Sequence, residues 1–239
     1  MSFSLLRPFT TAVASLCLAV PLLKLIRVPS QPPTSAAEAP LLPTTTNPRV
    51  PQTTLPILLL LTLHFLCPLR QELVFQIMIP YASRTFSTSI STAGLLLSIV
   101  AASNLLAITA VLPRLPKGDL FAIKFSCVLL AVGCVLLGLA GTFGEFAAAA
   151  VVFAGGFGVR LAVLAMLTGV VGRGVVGRVY TLVTVVEGVG EMVAAPLLQG
   201  VWARGLENGG GSAVWWIGAA GYAGAFGIAC VLGKVGQRG

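Results

Sequence analysis

Apolar residues run along this chain in blocks of about twenty, separated by short polar breaks. Six blocks lie at about 56–81, 90–112, 120–139, 146–170, 177–199 and 213–232. A helix of that length crosses the hydrocarbon core of a bilayer. The blocks do not alternate apolar with polar residues, as a membrane-spanning strand would. The pattern predicts an all-α fold: a polytopic helical membrane bundle with six transmembrane helices. A shorter run at residues 9–26 is interrupted by Pro21 and ends near Lys24 and Arg27. We read it as an extra N-terminal membrane helix, with a secretory signal peptide and a transit peptide as alternatives. Residues 28–55 then mix prolines at 29, 32, 33, 40, 43, 48 and 51 with Thr and Ser. Such a stretch builds no core and reads as a cytoplasmic linker, extended or disordered. The expected organisation is an apolar N-terminal segment (1–27), a linker (28–55) and a six-helix membrane domain (56–235).

Composition supports the same class. Of 239 residues, 56% are hydrophobic and only 9% charged, too few charges to cover a soluble domain of this length. The net charge of +8 matches the excess of Lys and Arg on cytoplasmic loops, and no clustered basic patch points to nucleic acid. The five cysteines are scattered without a CxxC pair, and His64 stands alone on a leucine-rich helix, so neither a metal site nor a disulfide framework is expected. No catalytic Ser-His-Asp set, HExxH or P-loop occurs, and no cofactor is implied. The glycines of GGFGVR lie inside an apolar helix with no strand before them, which rules out a dinucleotide fingerprint.

Five charged residues nevertheless sit at membrane depth: Arg70, Glu72, Arg160, Glu187 and Glu191. A charge there normally faces a bundle interior, a watery cavity or an opposite charge. Glu187 and Glu191 are four residues apart, one turn above the other on a single helix face. They could exchange protons or bind substrate, or they could be one side of a structural ion pair; we favour the first. Arg160 lies at a matching depth and should come within ion-pairing reach of one of them. For Arg160, coupling and structural roles weigh equally. Arg70 and Glu72, two residues apart, point to different sides of their helix and read as structural. Asn104 is interhelical glue or a cavity liner. The row Gly218, Gly221, Gly224 and Gly227 reads as a packing face, and Tyr81, Trp215 and Trp216 as anchors at the membrane interface.

Three phrases carry a family resemblance: QIMIPYASRTFSTSISTAGLLLSIVAASNL, FGVRLAVLAMLTGVV and GRVYTLVTVVEGVGEMVAAPLL. They resemble the seventh-to-eighth, tenth and eleventh helices of fungal transporters of the major facilitator superfamily, over roughly residues 56–235. The resemblance implies two three-helix repeats of inverted topology. It also implies twelve helices in two halves, of which this sequence holds the C-terminal one, and substrate bound between the halves near the midplane. The expected function is therefore transport of an unknown small solute, by what reads as a truncated secondary transporter whose residues 9–26 could be a remnant of the sixth helix. The expected partners are the lipid bilayer and either a second copy or a separate N-terminal half, and the chain should not transport alone. The alternative is a non-transporting membrane protein that dimerises or packs against a partner.

Basic residues on alternate connections set the orientation. Arg114, Lys117 and Lys124, then Arg173 and Arg178, then Lys234 and Arg238 share a side with the linker, while Arg84, Glu145, Arg204 and Glu207 mark the other. The first set should be cytoplasmic. Reporter fusions after Leu115 and after Glu145 should therefore report opposite sides of the membrane; the same side for both would refute this topology.

Overall fold

The computed structural model describes residues 54–111, 114, 118–171, 176–207 and 211–236. The N-terminal apolar run and nearly all of the linker lie outside the described residues. Six helices are long and apolar enough to cross a membrane: α1 (Leu55–Thr85), α2 (Ser91–Val111), α3 (Gly118–Leu139), α4 (Phe143–Val170), α5 (Gly177–Glu207) and α6 (Ala213–Val235). The chain is a multi-pass membrane protein with an all-α bundle, and no strand occurs among the described residues. Helices start where polar residues can satisfy their free N–H groups. Ser89 Oγ accepts from the Thr92 N–H ahead of α2. Thr142 and Glu145 form a reciprocal capping box ahead of α4.

α1 packs on α4, α5 and α6; α3 packs on α4 and α6; α2 packs on α4. Exchanging α1–α3 for α4–α6 converts the α1–α5 pairing into α4–α2 and leaves α1–α4 and α3–α6 unchanged. With an odd number of crossings per triplet, the two triplets run in opposite senses, which supports the expected inverted repeat. α1 and α5 run parallel: His64 meets Glu187, Phe65 meets Gly190, and Tyr81 meets Trp202.

Between apolar helices in lipid, association depends on close packing more than on the hydrophobic effect. Glycine makes it possible at the α3–α4 crossing. A Cβ on Gly133 would lie 2.6 Å from Phe153 Cα, and one on Gly156 would lie 2.5 Å from Leu130 Cγ and 2.7 Å from the Ser126 carbonyl. The glycine row of α6 behaves differently from the expected packing face. Gly218 packs on Leu73 and Cys134 and Gly221 on Leu69, whereas Gly224 and Gly227 have open space beside them. Residues three apart step back around a helix by about 60°, so a period of three winds off any one face.

The anchor reading of Tyr81 and Trp215 is also corrected. Both are buried, and only Trp216 of the three is exposed. Tyr81 stacks on Phe146 at 5.3 Å and meets Trp215 edge-on and Trp202 at a tilt, while Phe86 joins through Phe143 and Phe146. This cluster ties one end of α1, α4, α5 and α6 together. The rings serve the bundle because four helix ends converge there, a convergence that local sequence does not announce.

Four substitutions separate close crossings from open positions. Gly133→Ala and Gly156→Ala should each lower stability by about 1–3 kcal/mol through overpacking. Gly188→Ala and Gly224→Ala, with nothing within 4 Å of the added carbon, should stay within about 0.5 kcal/mol. Thermal unfolding of the four variants in one detergent checks the contrast.

Candidate functional site

The helices that carry the intramembrane charges are irregular at those charges. Pro68 lies within α1 and cannot donate to the His64 carbonyl one turn back. The same helix widens to π geometry over Leu73–Met78, directly after Glu72 and just ahead of Pro80. Pro80 likewise leaves the Gln76 carbonyl without its usual donor. α2 widens over Ala107–Val111, after Asn104. α4 tightens to a 3₁₀ turn at Gly156–Gly158, two residues before Arg160. Such departures from α geometry recur at functional sites.

At the centre of α5, Glu187 sits between two basic side chains. Arg160 Nη2 donates to Glu187 Oε2 at 2.8 Å. His64 Nε2 approaches the same oxygen at 3.5 Å, an electrostatic contact too long for a well-formed hydrogen bond. His64 is fully buried, Glu187 is 15% exposed and Arg160 is 43% exposed. The cluster is therefore closed on the α1 side and open on the α4 side. Gly190 sets the fit: a Cβ there would lie 2.7 Å from the Phe65 carbonyl and 3.1 Å from Pro68 Cγ. α5 thus lies against the proline bend of α1, one turn from Glu187.

The expected pairing of Arg160 with the Glu187 helix is present. Glu191 makes no ion pair among the described residues. Arg70 does not pair with Glu72. It crosses to α4, where Nη1 donates to the Phe157 carbonyl at 3.0 Å and the guanidinium lies 4.2 Å from the centre of the Phe157 ring. Asn104 faces Arg70 across a groove of about 360 Å³, lined also by Gln71, Val74, Phe75, Val100 and Phe157. Among the described residues, no group of three His, Cys, Asp or Glu side chains is placed to hold a metal.

His64 is the residue that the sequence reading passed over as a metal ligand and did not connect to the carboxylates. The signal was register. His64 lies nine residues beyond Leu55, the start of α1, and Glu187 lies ten beyond Gly177, the start of α5. At about 1.5 Å per residue, two parallel helices bring them to one level.

This geometry predicts unequal costs. Arg160→Met leaves Glu187 beside a single, poorly aligned partner, and should destabilise by about 1–3 kcal/mol, less than a fully buried pair because Arg160 is partly exposed. Glu187→Gln should cost less, because Arg160 can extend towards water or headgroups. The double variant should recover most of the loss, as read by thermal unfolding in a double-mutant cycle.

No family model matches the chain. Two curated proteins of Aspergillus flavus are similar to it: an MFS-type transporter, aprT, 26% identical over 165 residues, and an efflux pump, ustT, 29% identical over 166 residues. The matches cover 65% and 64% of this chain but 32% of each relative, so the chain spans about a third of their length. On six membrane-crossing helices, an internally exchanged pairing pattern and these two matches, the chain is a partial homologue of fungal transporters of the major facilitator superfamily.

Proposed function

We propose that these six helices form one half of a secondary transporter for a small solute, and that Glu187 and Arg160 form its coupling pair. One observation carries the reading: a carboxylate at the centre of an apolar helix shares a single oxygen between an arginine and a buried histidine. An ion pair serving only to hold helices needs no third titratable partner. A proton bound to Glu187 would cancel its attraction for Arg160 and free α4 to move relative to α5. Substrate or a second half could exploit the same release. Arg160 is the exposed member, so it is the one a solute would reach. The similarity to a protein named an efflux pump agrees with transport and leaves the solute open.

α2 and α5 are the least buried of the six helices. In a transporter of two halves, the pathway runs between the halves and one rocks against the other. The proposal therefore includes a second six-helix half. The same exposed faces support a second reading, in which this protein packs against a membrane partner and moves nothing.

The purified chain, reconstituted at controlled copies per vesicle, distinguishes these. Ethidium and 2-naphthoate serve as cationic and anionic probes, and an enclosed dye reports internal pH. Uptake should be absent at one copy, appear as copies rise, and be lost in Glu187→Gln with its coupled pH change. Uptake by single copies would overturn the two-half requirement. No uptake at any loading, with a stable partner recovered on purification, would favour the non-transporting reading.

A further inference from the structure

We propose that the groove between α1, α2 and α4 is a binding site for an amphipathic organic carboxylate, with Arg70 as its anchor. Arg70 sits at membrane depth without a carboxylate within 4 Å among the described residues. Among the described residues its one side-chain hydrogen bond is to the Phe157 carbonyl, and its Nε is buried with no partner. A guanidinium carries five donors in a planar fork suited to a carboxylate, so most of that capacity is unused.

The neighbouring charges do not supply the missing anion. Glu187 lies within electrostatic range of Arg70, but its Oε2 is taken by Arg160. Neither Glu72 nor Glu191 lines the groove or comes within 4 Å of the Arg70 guanidinium. Arg70 is thus left without a counter-anion in ion-pairing reach among the described residues, where an unpaired charge is expensive.

The groove offers the rest of a binding site. Gln71 and Asn104 add polar groups, and Asn104 Oδ1 is buried without a partner. Val74, Phe75, Leu97, Val100, Ala101 and Phe157 supply apolar walls. Convergent polar groups in an otherwise apolar groove of this size are the usual form of a small-molecule site. Phe157 holds Arg70 by its carbonyl and its ring face, so the fork is already oriented before a ligand arrives. The ligand class that fits is a monocarboxylate on a compact apolar body. This deepens the transport reading by naming a solute class, but binding can be measured without transport.

The test is equilibrium dialysis of the purified full chain in a neutral maltoside detergent, with 2-naphthoate and its neutral analogue 2-naphthamide. Naphthoate should bind about tenfold more tightly than the amide, the margin expected for a charge-assisted fork. Arg70→Gln should erase that margin. Ala101→Phe, which fills the groove without touching a charge, should abolish binding of both probes even if Arg70→Gln fails to fold. Oleate carries the same carboxylate on a lipid tail. Weak competition by oleate supports a soluble ligand, and displacement at lower concentrations than naphthoate itself would overturn the solute assignment. Equal binding of acid and amide, or naphthoate binding unchanged in Ala101→Phe, would overturn the site whatever uptake experiments show. A transport failure with the tenfold margin intact would overturn only the transport reading.

Discussion

A carboxylate in the middle of a membrane survives only if the fold brings a cation to it, and that requirement organises this bundle. Glu187 cannot be served from its own helix, which offers no base within a turn. Its partners come from α4 and α1. Those helices must therefore approach at one depth and keep the register that sets the two basic groups on one oxygen. Gly190 permits the approach on the α1 side, and the glycines of the α3–α4 crossing hold α4 where Arg160 can reach. Small residues thus set the electrostatics by setting distances.

The backbone irregularities follow the same geography. Prolines and glycines interrupt α1 and α4 beside Arg70 and Arg160, and in α4 one carbonyl of the break gains another use. The Phe157 carbonyl, in the 3₁₀ turn, becomes the acceptor for Arg70. A regular helix would leave a lone guanidinium at this depth without a nearby oxygen. The break satisfies it with main chain and leaves its remaining donors facing a groove.

The crossings are legible in sequence because hydrocarbon imposes one rule on every residue within it, and a run of twenty apolar side chains has few other meanings. Arg160 and Glu187 are legible as a pair for a related reason: charges at one depth have strong cause to meet. What local sequence hides is lateral order around the bundle. Nothing in the α1 sequence says that His64 faces α5, that Arg70 faces α4, or that Tyr81 turns inward to meet Phe146 and Trp215. Those facts depend on which helices are neighbours, and neighbours are chosen by the sum of many close contacts. The glycine row of α6 shows the same limit, since only two of its four members find a surface to touch.

The ring cluster around Tyr81 gives the bundle a mechanical polarity. Four helix ends are interlocked there by stacked and edge-on aromatic contacts, which resist shear in several directions at once. The Glu187 cluster lies farther along the same helices and is partly open on the α4 side. The bundle is therefore braced unevenly: ring contacts lock one end, while at the middle α4 reaches α5 through an ion pair whose arginine is partly exposed.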